Sequence, residues 1–273
     1  MKIVTLMENT ACREDLAADH GLSLYIETEK HKILFDMGPD NAYIDNAEKL
    51  GIDLKEVDIA ILSHAHYDHG GGLPRFRLIN DKAQIYLHRA AFKDYYKKDG
   101  DEEQEYIGLD QSMSQKGFLF TGEEKVIDEE LSLFAEVQDH TGALAASAKL
   151  FTSTFDGLLP DKFAHEQSLL IRSGDKAVLV AGCAHCGIVN ILNEAKKRLG
   201  RLPDVTFGGF HLFQLTEGDE ASEKLIDMTG KALLAGNTVY HTGHCTGDYA
   251  YERLKGILGD RLQRMSGGLT VEI

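Results

Sequence analysis

The chain has 273 residues, which is longer than a typical single domain, but an α/β protein of this length can still bury one continuous core. Hydrophobic residues make up 43% and charged residues 27% of the chain, and four prolines leave little room for a disordered linker. The net charge of −15 argues against a broad basic surface for nucleic acid. We therefore expect a single globular domain over residues 1–273 that does not bind nucleic acid.

Two further features of the sequence bear on the cellular location. It holds no run of about 18 apolar residues, the length needed to cross a membrane, and its first strand-like segment is too short for a signal peptide. The four cysteines are too few and too scattered for a disulfide scaffold: Cys12, Cys183, Cys186 and Cys245. We expect thiols in a cytoplasmic protein with no membrane partner, and the sequence predicts no particular oligomeric state.

The first third of the chain opens with β structure. Strands are predicted at residues 2–7, 22–27 and 32–36, a helix at 41–50 and a fourth strand at 57–62. This fourth strand runs directly into Ser63 and His64. Because open α/β sheets place their ligand sites beyond strand ends, the residues after position 62 are candidates for a functional site.

A strand at 84–88 precedes a polar stretch at about 93–115, which is rich in acidic residues. Its composition predicts an insertion exposed to solvent, and the alternative is a lid over the site. Two hairpins are expected after it, at 126–137 and 168–181. The last third alternates helices at 188–199, 219–234 and 249–258 with strands at 205–207, 238–241 and near residues 263 and 270.

Four side chains of types that bind metals lie within one hexapeptide, His64-Ala65-His66-Tyr67-Asp68-His69. Three glycines follow it directly. His64 and His66 point the same way in an extended chain, so both imidazoles can bind one metal ion. Asp68 and His69 can bind a second ion, and the glycines allow the backbone to turn sharply beneath the cluster. This spacing predicts a metal site.

The pattern His-x-His-x-Asp-His resembles the hallmark of the metallo-β-lactamase superfamily. The resemblance covers most of the chain and implies the α/β fold of that superfamily, a four-layer αβ/βα sandwich. Asp36, which precedes Met37 and Gly38, resembles the acidic residue that supports the metal loop by hydrogen bonding in the superfamily. An aspartate that only forms a turn before Gly38 is the alternative.

Three later segments place a histidine after an apolar strand and beside glycine: residues 182–185, 208–211 and 241–247. This arrangement resembles the branch of metal-dependent hydrolases named after the 7,8-dihydropterin-6-yl-methyl-4-(β-D-ribofuranosyl)aminobenzene 5'-phosphate synthase. The resemblance implies two ligand sets, each of which combines part of the hexapeptide with one later histidine: His64, His66 and His185 for the first ion, and Asp68, His69 and His244 for the second.

Three residues in or near these segments keep more than one interpretation. Many superfamily members carry a metal-bridging aspartate where this chain has Cys183, which can bind zinc as a thiolate or pack beside the metals, and we favour packing. His165 is the rival of His185 for the first ion. His211 lies beside the substrate as a donor to a bound anion, or serves as an alternative ligand.

Two divalent ions held by these ligands would activate a water molecule without a serine or cysteine nucleophile. The resemblance therefore predicts a dinuclear metal-dependent hydrolase that acts on a small anionic substrate, above all a phosphoester, as a phosphodiesterase does. Asp68 would orient the attacking water, and His211 would stabilise the negative charge on the departing oxygen. Zinc is the first choice by prevalence, whereas imidazole and carboxylate ligands also suit manganese and iron.

Two functions of other classes remain open. One is an iron-dependent oxidoreductase of the same fold, and the other is a non-catalytic relative that binds a metal or ligand. Cys183 and Cys186 also match half of a redox or zinc-ribbon motif, which is a weak signal without a second pair. Four further histidines have no partner at ligand spacing, so we expect surface or core positions for His20, His31, His88 and His140.

Overall fold

A computed structural model of the protein describes residues 1–100, 103–114 and 117–273. Its strands are, in chain order, β1 (Lys2–Met7), β2 (Ser23–Glu27), β3 (Lys32–Phe35), β4 (Ile59–Ile61), β5 (Gln84–His88), β6 (Tyr95–Lys97), β7 (Glu105–Tyr106), β8 (Leu119–Thr121), β9 (Glu124–Val126), β10 (Leu131–Ala135), β11 (Leu150–Thr154), β12 (Gly157–Pro160), β13 (Gln167–Ser173), β14 (Lys176–Val180), β15 (Val205–Phe207), β16 (Val239–Thr242), β17 (Leu262–Arg264) and β18 (Thr270–Glu272). Its helices are α1 (Ala42–Lys49), α2 (Tyr67–Gly70), α3 (Leu73–Ile79), α4 (Ile188–Leu199), α5 (Glu220–Leu234) and α6 (Asp248–Leu258). Within the described residues, none of these helices has the length and hydrophobicity that a membrane span requires.

The chain divides into two compact units. The first unit comprises Met1–Glu123, Lys149–Gln167 and Ser266–Ile273, and the second comprises Glu124–Ala148 and Ser168–Met265. The single domain that the sequence suggests over residues 1–273 stays a prediction.

The main sheet of the first unit has seven strands in the order β18-β1-β2-β3-β4-β5-β8. Strands β3, β4, β5 and β8 are parallel neighbours, whereas β1 pairs with β18 and β2 in the antiparallel sense. Strand β3 ends in a continuous apolar run, Ile33, Leu34 and Phe35, and all three side chains are fully buried, as in a strand covered on both faces. Because β4 ends at Ile61, the residues that follow it emerge at the carboxyl edge of this sheet.

A second, four-stranded sheet of the first unit has the order β12-β11-β6-β7. Its strands β6 and β7 fall in the polar stretch at about 93–115, of which residues 101, 102 and 115 lie outside the described residues. The polar composition gives little strand periodicity, so the sequence does not predict this sheet. Tyr95 anchors it, because its ring is buried and its hydroxyl donates a hydrogen bond to the carbonyl of Ala90 at 2.8 Å.

The second unit is built on another seven-stranded sheet, in the order β17-β16-β15-β14-β13-β10-β9. Strands β14 to β17 are parallel, and β13 and β14 form an antiparallel hairpin. Helix α4 packs an apolar face into the core of this unit through Ile188, Ile191, Leu192 and Ala195, which have the spacing of one helix face. The parallel strands β14, β15 and β16 therefore end at one edge and deliver the three loops that follow them there.

The predicted elements of the last third agree closely with the structure, since α4 and β15 have the expected bounds. In the histidine hexapeptide the structure differs from an extended strand followed by a turn. Helix α2 begins at Tyr67, because the carbonyl of His66 accepts hydrogen bonds from the amides of His69 and Gly70. Asp68 and His69 therefore lie on one helical turn.

His241, in β16, is a buried histidine that affects how stability depends on pH. Its ring stacks on Phe207 with centroids 4.5 Å apart, and burial lowers its pKa from 6.5 to about 4. An unfolded chain then binds a proton more readily than the folded chain, so acid favours unfolding. We expect the free energy of unfolding to decrease as the pH falls from 6.5 to about 4, and His241→Gln to reduce this dependence.

Urea denaturation at several pH values within this window measures the effect. The matched control is His140→Gln, at an exposed histidine of the same unit. Equal pH dependence in the His241→Gln variant and the wild type would contradict the prediction.

Candidate metal centre

The first unit brings together the four candidate metal ligands of the hexapeptide. Ligand atoms of His64, His66 and Asp68 lie within 4.8 Å of one another, and all three residues are buried. The ring centroid of His64 lies 4.6 Å from that of His66 and 4.1 Å from that of His69. Burial lowers the pKa of His66 to about 3, so this imidazole is neutral at physiological pH and able to bind a metal.

Hydrogen bonds from Asp36 and Ser63 fix the tautomers of His64 and His69. Oδ1 of Asp36 accepts the Ser63 amide at 2.7 Å, and Oδ2 accepts the Ser63 hydroxyl at 2.7 Å and lies 2.6 Å from Nδ1 of His69. A carboxylate only accepts, so Nδ1 of His69 donates and the lone pair resides on Nε2. The Ser63 hydroxyl gives its one proton to Asp36, so at 2.8 Å it accepts from Nδ1 of His64, which likewise keeps its lone pair on Nε2.

The spacing of these atoms fits a bound metal ion. Nε2 of His69 lies 3.6 Å from Oδ2 of Asp68. Two ligand atoms on one tetrahedral zinc, each about 2.1 Å from the ion, lie about 3.4 Å apart.

Asp36 is more than a residue that forms a turn, because its hydrogen bonds orient the nitrogen atoms that the sequence assigns to metal binding.

Close backbone contacts explain two of the three glycines after the hexapeptide. A Cβ atom on Gly71 would lie 1.9 Å from the Pro39 carbonyl oxygen, and one on Gly72 would lie 2.3 Å from that of Met37. The stretch that contains Asp36 therefore packs directly against the turn after the hexapeptide. Any larger residue at Gly71 or Gly72 would push these two segments apart.

His165 lies in the first unit and uses both ring nitrogens for hydrogen bonds. Nδ1 accepts the amide of Ala65 at 2.9 Å, so Nε2 carries the proton and donates to Oδ2 of Asp161 at 3.0 Å. Burial by itself raises the pKa of Asp161, but the hydrogen bond from His165 and that from the Phe163 amide offset it, so that pKa is lowered. To bind a metal, His165 would have to give up one of these hydrogen bonds. Its contacts therefore favour a role in which His165 supports the backbone between His64 and His66.

The variant His165→Asn tests this role. We expect it to weaken metal binding by about tenfold without removing a bound ion, because a group that supports a ligand tunes its affinity. Competition titration with a chelating dye measures the affinity, and elemental analysis measures the stoichiometry. Loss of one equivalent of metal would instead identify His165 as a ligand.

His20 is a candidate functional residue that the sequence does not reveal. Nε2 of His20 lies 3.5 Å from Oδ2 of Asp68, and its side chain is 47% exposed. The Asp68 carbonyl accepts the amide of Leu22 at 3.3 Å, and a Cβ on Gly21 would lie 2.5 Å from that carbonyl oxygen. Because 48 positions of sequence separate the two residues, no local spacing signals this contact.

The second unit brings together five residues of the three loop segments, of which the sequence singles out all but Cys245 as site residues. They follow the carboxyl ends of β14, β15 and β16 and are all buried: Cys183, His185, His211, His244 and Cys245. Each loop holds one residue with positive φ that is not glycine, namely Ala184 at 54°, His211 at 48° and His244 at 46°. Such conformations cost about 1–3 kcal/mol each and concentrate at functional sites.

Cys183 is central to this second cluster. Its Sγ has ligand atoms of His185, His211, His244 and Cys245 within 4.8 Å. The rings of His185 and His211 have centroids 4.0 Å apart, and the Ser147 hydroxyl lies 3.3 Å from Nδ1 of His185. Burial alone raises the pKa of the Cys245 thiol, but the neighbouring Cys183 thiol and the imidazoles of His211 and His244 hold that pKa well below its usual range.

The predicted ligands are thus divided between the two units. The first unit holds His64, His66, Asp68 and His69, and the second holds His185 and His244. Imidazole, carboxylate and thiolate groups of this kind suit divalent transition metals, so the residues fit the metal chemistry that the sequence predicts.

Residues 16–185 match the sequence model of the metallo-beta-lactamase superfamily. The chain belongs to this superfamily and has its hydrolase-like α/β fold, which confirms the family and fold class that the hexapeptide suggests.

Two proteins of Methanocaldococcus jannaschii are similar along nearly their whole length. The uncharacterised protein MJ0448 is 28% identical over 258 residues, which are 92% of this chain and 93% of that protein. The 7,8-dihydropterin-6-methyl-4-(beta-D-ribofuranosyl)-aminobenzene-5'-phosphate synthase is 27% identical, and the alignment covers 100% of this chain and 96% of that protein. The solved structure of Tm1679, a metal-dependent hydrolase of the beta-lactamase superfamily, has a TM-score of 0.81 at 26% identity and covers 100% of this chain and 99% of its own.

Proposed function

We propose that the protein is a dinuclear metal-dependent hydrolase that cleaves a small anionic phosphoester. The observation that carries this proposal is the chain of hydrogen bonds from Asp36 through Ser63, which keeps the lone pairs of His64 and His69 on Nε2. A buried arrangement of this kind orients imidazoles for metal binding. The similarity to Tm1679, a metal-dependent hydrolase, supports the same class of function.

The proposed ligand sets are those that the sequence suggests. His64, His66 and His185 would hold one ion, and Asp68, His69 and His244 the other. Divalent ions bound there would lower the pKa of a water molecule and polarise a phosphoryl oxygen. Zinc is the proposed metal, and manganese and iron are the alternatives.

The chain's own residues would position the reactants. Asp68, which is buried beside His20, would accept a hydrogen bond from the attacking water and orient it. His20 would donate a proton to the departing oxygen, because it combines exposure to solvent with proximity to Asp68. His211 was predicted to stabilise that oxygen or to bind metal, and its two cysteine neighbours favour metal binding.

The proposed substrate is small and carries phosphate. The net charge of −15 disfavours long nucleic acids, whereas bound divalent ions attract an anion locally. The similar synthase from Methanocaldococcus jannaschii is named after a compound that carries a 5'-phosphate group. This name is consistent with a phosphorylated small molecule as the substrate of the present protein.

Metal analysis combined with activity assays tests the proposal. Protein stripped by a chelator is expected to lose hydrolysis of bis(p-nitrophenyl) phosphate and to regain it with two equivalents of zinc or manganese. Full activity of the metal-free protein would overturn the proposal. Inactivity of the fully loaded protein on a broad ester panel would favour a non-catalytic relative, and iron with oxygen consumption would favour an oxidoreductase.

The variant His20→Gln tests the proposed proton donor. We expect kcat to fall by about 100-fold on a diester with an alkoxide leaving group, but to change little with p-nitrophenolate, which leaves without a proton. Metal content should be unchanged, and His140→Gln is the control at an exposed histidine. Equal losses on both substrates would contradict the assignment.

A further inference from the structure

We propose that Phe213 determines specificity: its ring stacks on an aromatic group of the substrate, so that the protein prefers aryl phosphoesters. The inference rests on the proposed hydrolase function, because it takes the phosphoryl group as bound at the metal centre and names the kind of group that this phosphate carries. Phe213 has no part in the proposed chemical step and acts only on the choice of substrate.

Phe213 lies beside the candidate metal centre, in the loop that follows β15 and carries His211. The ring of Phe213 meets the imidazole of His211 edge to face, with centroids 5.3 Å apart and planes at 83°. Sγ of Cys183 in turn has ligand atoms of His211 and of the proposed ligand His244 within 4.8 Å. Only two side chains therefore stand between a proposed metal ligand and the Phe213 ring.

The Phe213 ring is far more exposed than the other phenylalanines of its strand and loop. Its exposed fraction is 46%, whereas Phe207 and Phe210 are 1% and 2% exposed. Single exposed apolar side chains are common on protein surfaces, so the contact with His211 is what distinguishes Phe213 from a ring such as the fully exposed Phe155. A ligand that covers the Phe213 ring gains the hydrophobic free energy that folding leaves unused there.

The neighbouring loop holds the backbone of Phe213 in place. The amides of Leu212 and Phe213 both donate to the Cys245 carbonyl, at 3.0 and 3.1 Å. A Cβ atom on Gly247, where φ is 77°, would lie 2.6 Å from Cα of Phe213, so the loops after β15 and β16 are closely packed. Little backbone freedom is therefore lost when a ligand stacks on the ring, which favours binding.

The remaining surroundings of His211 in the second unit favour an uncharged group. A pocket that reaches His211 is lined mainly by apolar side chains, among them Ile188, Phe210 and Leu225. Among the described residues that line it there is no aspartate, glutamate, lysine or arginine. Because a charged group is costly to bury without a partner, a neutral ring suits this place better than a second charged group.

Isothermal titration calorimetry of the full-length, zinc-loaded protein tests the role of Phe213 without requiring turnover. The probes are phenyl phosphate and methyl phosphate, which differ only in the group on the phosphate. The wild type should bind phenyl phosphate about tenfold more tightly, the size expected from aromatic stacking and the apolar area covered. Phe213→Leu, which keeps an apolar side chain but loses the ring, should reduce this ratio to about threefold or less, and Phe213→Tyr should keep it.

Phe155→Leu, at the fully exposed ring between β11 and β12 of the first unit, is the matched control and should keep the wild-type ratio. If Phe213→Leu does not fold by circular dichroism, Phe213→Met serves instead, with the same expected ratio. The inference is overturned if the wild type binds neither monoester or binds both equally well, if the folded Phe213→Leu or Phe213→Met variant keeps the wild-type ratio, or if Phe155→Leu loses it to the same extent.

Hydrolysis of bis(p-nitrophenyl) phosphate, measured on the same samples, separates this inference from the proposed hydrolase. Selective binding of phenyl phosphate without any hydrolysis would remove the hydrolase and leave Phe213 in a site that binds aryl phosphates. Hydrolysis together with equal binding of the two monoesters would keep the hydrolase and remove the role of Phe213.

Discussion

Asp68→Asn is expected to lower kcat for phosphodiester hydrolysis by about 10³-fold, the scale of loss when a group that binds metal and positions the attacking water is removed. The amide has nearly the same shape as the carboxylate but carries no charge and binds metal weakly. The fold should persist, because Asp68 lies at the start of the short helix α2 and its carbonyl keeps the hydrogen bond from Leu22.

Steady-state kinetics with a chromogenic diester measure this loss, and elemental analysis after dialysis measures the metal. Asp15→Asn, at an exposed aspartate paired with Arg13, is the control and should retain wild-type activity. Activity within a few-fold of the wild type in Asp68→Asn would remove Asp68 from the proposed mechanism.

Asp36→Asn is expected to weaken metal binding by about 10- to 100-fold and to lower the free energy of unfolding by about 3 kcal/mol. The carboxylate accepts from the Ser63 amide, the Ser63 hydroxyl and Nδ1 of His69, and an amide group can accept at only one of its two atoms. A buried donor is then left facing another donor, and the tautomers of two histidines are no longer fixed.

The chain contains a closely matched control for this variant. In Asp58, Oδ2 lies 2.6 Å from Nδ1 of His31 and Oδ1 accepts the Lys32 amide at 2.7 Å, which repeats the geometry of Asp36 at a more exposed place. Asp58→Asn should cost at most about 1 kcal/mol, because solvent weakens exposed ion pairs. Urea denaturation of the metal-free variants compares the two, and equal costs would show that Asp36 has no special structural role.

Local sequence signals predicted much of the fold and of the candidate site. Spacing within the hexapeptide indicated the buried cluster of His64, His66 and Asp68, because neighbouring ligands leave a pattern that can be read along the chain. Apolar runs bounded by glycine gave α4 and β15 with their observed bounds. These features depend on contacts between residues that are near in sequence.

Features that depend on distant contacts could not be predicted in this way. His20 meets Asp68 only because the loop before β2 packs on the turn of α2, and His165 meets Ala65 across 100 positions of the chain. The sheet of β6, β7, β11 and β12 has strands of only two to five residues, which are too short to show a clear period of two. The ligand assignments across the two units stay predictions from the resemblance.

The hydrogen bonds from Asp36 through Ser63 have a consequence for how the protein acquires metal. They immobilise the rings of His64 and His69 in the folded chain, whereas an unrestrained side chain loses about 0.5–1.5 kcal/mol of rotamer freedom when a ligand fixes it. Much of that entropy is therefore lost during folding and not during ion uptake. We therefore expect the first unit to differ from small zinc domains, which fold only as the metal binds, and to exchange bound ions without unfolding.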